Sequence, residues 1–212
     1  MLWKSLVNKV AIPLFASPVA GFVMGFAVMW IVTRIFARTH PGRIGSIFRR
    51  LQIVSAAAMA FSHGQNDAQK SMGIITLSLF SMGVIAAGKS GRPDVPLSVI
   101  IACAAAMAAG TSAGGWRIIR TMGHRIIRLE PVHGFAAETS AATVIFTASH
   151  FGMPVSTTHV IAGSIFGVGS SKRFSAVRWG VAMNMFVAWV VTLPASALVG
   201  AVCYWALSSF SS

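Results

Sequence analysis

Acidic side chains are nearly missing from this sequence. Its 212 residues hold four, Asp67, Asp94, Glu130 and Glu138, against 17 lysines and arginines. Charge of either sign is scarce, at 10% of residues, where soluble domains carry about 25%. That excludes an ordinary soluble domain. Cysteine is scarce too: Cys103 and Cys203 both sit inside apolar runs, which excludes a disulfide framework and any cysteine metal spacing.

What fills the chain instead is apolar. Hydrophobic residues make up 55% of it, and the mean hydropathy is +0.74. Uncharged runs at Val10–Thr33, Ser71–Gly88, Leu97–Trp116 and Trp179–Ser212 each reach the roughly 18 residues that a spanning helix needs. The first is too long for a signal-peptide core and is followed by Arg34 and Arg38, so it reads as a helix that stays. The net charge of +13 does not point to nucleic acid, because the basic residues are clustered. Five lie in Arg34–Arg50, four in Arg117–Arg128 and three in Lys172–Arg178. This is the positive-inside pattern, which assigns those loops to the cytoplasm and both termini to the outside.

Taken in order, Met1–Lys9 is a short basic interfacial lead, and the first span carries Gly21-x-x-x-Gly25, a spacing that lets helices approach closely. Further pairs stand at Gly110–Gly114 and Gly163–Gly167. The stretch Leu51–Gly88 would form a helix of about 57 Å, against a hydrocarbon core of about 30 Å. Two crossings would put the arginines of 117–128 outside, so one crossing is favoured, broken into half-helices at Gly64-Gln-Asn-Asp67. Arg117–Arg128 alternates isoleucine pairs with arginines, as suits a helix lying on the anionic inner surface. Gly134–Ser149 and Val155–Gly169, joined by His150-Phe-Gly-Met-Pro154, are short for spans and have basic flanks, which predicts a re-entrant helical hairpin with its tip buried in protein. The last span carries Pro194, a kink position. The expected fold is thus an all-α integral membrane protein of about four spanning helices, one broken at its centre, plus the hairpin.

The chemistry concentrates in two places. His63, Gln65, Asn66, Asp67, Gln69 and Lys70 crowd one apolar stretch, where each strongly polar group costs about 2.5–3.5 kcal/mol at a helix centre. The hairpin carries Glu138 and Ser156-Thr-Thr-His159. Both elements therefore hold an acid, small polar donors and a histidine, which suggests one shared site. Asp67 and Ser156 are placed to cap helix N-termini within the membrane, and two such termini make an anion site from backbone N–H groups. Asn66, Ser156, Thr157 and Thr158 add neutral donors suited to a tetrahedral oxyanion. Asp67 and Glu138 would repel that anion unless protonated or paired with a cation, which is the form that coupling would take. Plainer readings are a bare Asp67–Lys70 ion pair, hydroxyls bonded back to their own helix, and packing roles for His63, His150 and His159. His63 and Asp67 could start a metal site, but no third ligand has fitting spacing.

Gly64-Gln-Asn-Asp67 and Pro154-Val-Ser-Thr-Thr-His159 together resemble the G-A-N-D and P-x-S-x-T-H motifs of the PiT (PHO4-type) inorganic phosphate transporter family. The surrounding residues resemble the second half of bacterial members. The resemblance implies symport, in a bacterial inner membrane, of phosphate or a divalent metal–phosphate complex, driven by H+ or Na+ and without a cofactor. It maps Asn66, Asp67, Ser156, Thr157 and Thr158 onto phosphate ligands, and Asp67 and Glu138 onto coupling-ion ligands, supported by His63, Gln65, Lys70 and His159. Gln65 replaces the family's usual alanine. The family carries each motif twice, in inverted halves, whereas here each occurs once. Residues 1–212 therefore read as a single C-terminal repeat, whose partners are phosphate, the bilayer and a missing N-terminal half or another copy, with no nucleic acid. Two rivals are a proton or cation channel around Asp67 and Glu138, and an intramembrane hydrolase using Ser156 and His159; the hydrolase lacks an acid spaced to orient the histidine.

Overall fold

The first uncharged run folds as expected, into helix α1 (Ile12–Ile35). The structure, a computed structural model, describes residues 7, 8, 12–88, 91, 93–115, 120–127 and 129–210. All but two residues of the basic lead, and Arg117, Ile118, Ile119 and Arg128 of the arginine–isoleucine segment, lie outside these. After α1 come α2 (Pro41–Ser81), α3 (Leu97–Ala113), α4 (Pro131–His150), α5 (Thr157–Lys172) and α6 (Trp179–Phe210). A five-residue π-helical turn, Thr121–Arg125, precedes α4. Among the described residues the only extended pairing is one bridge, Ala87 with Pro93. Residues 1–177 form one compact unit and 178–212 a second. The second is essentially α6, a continuous 32-residue helix with Pro194 inside it.

The expected break in α2 is absent. The helix runs unbroken for 41 residues through Gly64-Gln-Asn-Asp67, about 62 Å at 1.5 Å per residue. No proline follows Pro41 at its start, and an interior Gly64 costs only about 1 kcal/mol relative to alanine. The alanine-rich turn before it, Ala56-Ala-Ala-Met-Ala60, offsets that. Asn66, Asp67 and Lys70 find partners within the helix and on the α4–α5 hairpin, so the backbone has no need to open. Asp67 therefore caps nothing.

Two parallel helix pairs build the first unit. Ser55 bonds Glu138 and Asn66 bonds Ser149, both at a separation of 83 residues, so α2 and α4 run side by side in one direction. In α1 and α5, Pro18 abuts Gly163 and Phe22 abuts Gly167, again a constant offset. Edge-to-face contacts of Phe48 with Phe36 and Phe135 tie the end of α1 to the starts of α2 and α4, each pair 5.2 Å between centroids. Lys172 at the end of α5 and Glu130 and His133 at the start of α4 line one cleft with the end of α1. Both ends of the α4–α5 hairpin thus lie at the same end of the unit, beside the basic segments. Its tip reaches the level of the first described turn of α1.

The arginine–isoleucine segment differs from expectation. Ile126 and Ile127 are buried, at 0% and 7% exposure, and Ile127 faces Gly169 of α5. The second isoleucine pair is anchored in protein rather than laid on lipid, because α5 offers a glycine face there.

The glycine pairs of α1 and α5 interlock. A Cβ on Gly25 would collide with the Ser164 carbonyl, one on Gly163 with the Pro18 carbonyl, and one on Gly167 with the Phe22 carbonyl. Backbone cannot swing aside as a side chain can. We expect Gly25→Ala or Gly167→Ala to cost about 1–3 kcal/mol, read as a lower unfolding temperature of the purified chain in detergent. Gly110 meets open space, so Gly110→Ala is expected to be neutral or to gain up to about 1 kcal/mol of helix propensity.

Candidate functional site

The hairpin turn is shaped by three residues in a row. Gly152 adopts φ +64°, with Gly152 N–H bonded to the Ser149 carbonyl and Met153 N–H to that of Ala148. This is a Schellman close, which needs a left-handed residue and is readily followed by proline, here Pro154. Ser156 then starts α5 as its N-cap, its hydroxyl accepting from His159 N–H. The turn is thereby held against the middle of α2.

There α2 meets it with charge. Asp67 is bonded on both oxygens. Lys70 Nζ donates to Oδ1 at 2.9 Å, while His63 Nε2 stands 2.9 Å from Oδ2 and Thr157 Oγ1 donates to Oδ2 at 3.3 Å. Lys70 also donates to the Val155 carbonyl at 2.7 Å, which links the two motifs directly. Next to Asp67 in the chain, Asn66, 3% exposed, donates to Ser149 Oγ at 2.8 Å, and its Oδ1 is buried with no bonding partner. Gln65 Oε1 is left in the same way. Asn66, Gln69, Lys70, Ser149 and the 152–154 turn line a cleft of about 250 Å³, the share of several water molecules.

Sequence-predicted residues divide accordingly. Asn66, Asp67, Thr157, His63 and Lys70 are brought together, and Ser156 sits beside them as a cap. Thr158 is exposed and makes none of the cluster's bonds among the described residues. His150 is exposed against Phe151. Glu138 is not in this cluster. It accepts from Ser55 Oγ at 2.6 Å, eleven residues before Asn66, so it lies about 16 Å along α2. Ala141, Ile145 and Val160, with Met59 packed on them, fill the space between. The single shared site expected from the two acids is therefore two polar stations separated by an apolar layer. Sequence reasoning missed Ser149, the Val155 carbonyl and Ser55. The signal that could have found two of them is the common offset of 83 residues, visible only once parallel pairing is assumed.

The anion site built from two helix N-termini also needs correction. The α2 backbone at 64–70 is committed to its own helix, which leaves one N-terminus, that of α5, at the cluster. No group of three His, Cys, Asp or Glu among the described residues could hold a metal ion.

Helices α1, α2 and α6 are long and apolar enough to cross a membrane, and α3 is a shorter apolar helix. With a charged cluster inside α2, the chain is an integral membrane protein with a polar site among its helices. Comparison with known proteins gives the family. The phosphate transporter family (PHO4) profile matches residues 37–200. A "Probable low-affinity inorganic phosphate transporter" of Rhizobium meliloti (strain 1021) is 49% identical over 206 residues, which are 97% of this chain and 60% of that protein. One of the same name from Bacillus subtilis (strain 168) is 46% identical over 200 residues, 94% of this chain and 59% of that protein. A solved structure titled "The sodium-dependent phosphate transporter" superposes with a TM-score of 0.69 at 24% identity, covering 98% of this chain and 61% of that one, a likeness of fold alone. The chain belongs to the phosphate transporter family. It spans about 60% of the length of these curated relatives, and their names are those of transporters, not enzymes.

Proposed function

We propose that the chain is one repeat of a secondary transporter that carries inorganic phosphate across a bacterial inner membrane, coupled to H+ or Na+. The observation that carries this reading is the Lys70 ammonium inside a membrane helix, bonded to Asp67 on one side and to the Val155 carbonyl at the hairpin tip on the other. A cation there, beside the capped N-terminus of α5, gives an anion a place to bind within the membrane. Asn66, Thr157 and Ser156 supply neutral donors, with His63, Gln65 and His159 in support. Thr158 joins them only if the hairpin turns. Glu138, on α4 and bonded to Ser55 of α2, is the second coupling residue. Free phosphate is the favoured substrate, because both Asp67 oxygens are already engaged by Lys70, His63 and Thr157 and no group of three His, Cys, Asp or Glu among the described residues could hold a metal.

Ser156 spends its hydroxyl on capping, which argues against the hydrolase. The positive-inside pattern supports cytoplasmic basic loops, with α4–α5 entering from that side as a re-entrant hairpin. The test is uptake of labelled phosphate into membrane vesicles holding this chain with an N-terminal half, in sodium or choline at two pH values. Uptake that follows a pH or sodium gradient is expected. Cation flux without phosphate would replace this reading with the channel.

A further inference from the structure

Lys70 stands where a coupling cation would stand. Its Nζ lies 2.9 Å from a carboxylate oxygen of Asp67 and 2.7 Å from the Val155 carbonyl, with the Thr157 hydroxyl on the other Asp67 oxygen at 3.3 Å. Carboxylate and non-helical backbone carbonyl beside a helix start are oxygens of the kind that hold sodium in transporters with interrupted backbone, while Thr157 and His63 engage the other carboxylate oxygen. Hard monovalent cations and an ammonium share the same charge and the same preference for such oxygens. The two cannot be accommodated together, because one carboxylate balances one cation and a second would be left uncompensated in a half-buried site. The side chains of Asp67 and Lys70 are only 28% and 38% exposed.

We infer that Lys70 is a tethered counter-cation that closes the Asp67 position to sodium, and so acts as the residue that decides cation specificity at this cluster. The inference rests on the transporter reading for its significance, but its geometry does not depend on phosphate. Fixed in the chain, the ammonium cannot be carried across, so Asp67 is left to couple to a proton, and a sodium ion that couples binds elsewhere, at Glu138 or in the partner half. Lys70 then serves throughout the cycle as a fixed positive charge facing the cleft that it lines.

The test uses the purified full chain in detergent and reads its unfolding temperature in sodium chloride against choline chloride. In the unaltered chain the two salts are expected to give the same value. Lys70→Ala empties the position, and sodium is expected to raise the unfolding temperature above choline by about 3–6 °C, the shift for roughly tenfold excess over the dissociation constant. Lys70→Arg, which keeps the charge, is expected to show no sodium response, and Asp67→Asn combined with Lys70→Ala should abolish the gain. If Lys70→Ala does not fold, Lys70→Gln takes its place. Two results overturn the inference: a sodium-specific shift in the unaltered chain that Asp67→Asn removes, or no sodium-specific shift on removing the ammonium. Failure of phosphate uptake would sink the transporter reading without moving either salt comparison.

Discussion

Asp67→Asn is expected to bring phosphate uptake down to background while membrane insertion and helix content stay unchanged. The asparagine keeps the shape of the side chain and can still accept from Thr157 through its amide oxygen. What it loses is the charge that holds Lys70 and His63. Removing one partner of a fully buried ion pair costs about 3–5 kcal/mol, and an exposed pair contributes about 1 kcal/mol or less. At 28% and 38% side-chain exposure this pair falls between, which a polytopic helix bundle tolerates. Lys70 keeps its bond to the Val155 carbonyl, so the hairpin tip stays docked. The site, however, becomes net positive, and an anion drawn to it has no counter-charge to help it leave. Uptake by vesicles containing the variant and an N-terminal half, set beside its expression and far-UV circular dichroism, checks this. Uptake that survives with unchanged pH and sodium dependence would remove Asp67 from the coupling role.

That prediction rests on residues whose importance is legible in the sequence itself, and the reason is energetic. An ionisable group inside an apolar run is costly enough that His63, Asp67 and Lys70 stand out by their setting alone. So does Ser156 after Pro154, because a helix start has its own residue chemistry. The resemblance of the two motifs points to the family. Helix lengths and the basic segments are legible for the same reason, since both answer to the bilayer.

What stays illegible depends on which helix lies beside which. Nothing local distinguishes a broken α2 from a continuous one: Gly64 is compatible with both, and the decision falls to partners such as Ser149 and Thr157, 83 and 90 residues away. The separation of Glu138 from Asp67 is likewise set by the parallel register of α2 with α4. That register fixes two polar contacts eleven residues apart and puts Ile145, packed with Val160 of α5, between them. Similarly, Gly21-x-x-x-Gly25 and Gly110-x-x-x-Gly114 look alike in sequence, yet the first is buried against α5 and Gly110 faces open space. The motif shows that close approach is possible, and the partner decides whether it happens.

The chain expressed alone is expected to insert and to transport little or no phosphate, with activity returning when an N-terminal half carrying the partner motifs is co-expressed. The argument is one of ligand supply. At the cluster this chain offers one Asn66–Asp67 pair, one Ser156–Thr157 start and one ammonium, all drawn from α2 and one hairpin. A phosphate ion buried against so few groups keeps much of its charge unpaired, and each polar group left so costs several kcal/mol. The buried, unpartnered Oδ1 of Asn66 and Oε1 of Gln65 are acceptors, so they do not add to the anion's donors. Further donors have to come from another chain or repeat. Two copies of this chain could supply them only by facing each other in opposite orientations, as inverted halves do. The five basic residues of Arg34–Arg50 and the four of Arg117–Arg128 oppose that, because they fix one orientation in the membrane. Reconstitution into liposomes decides the matter: the purified chain alone should give background uptake of labelled phosphate, and the pair of halves a clear signal. Robust uptake by this polypeptide alone would mean that its single set of motifs suffices.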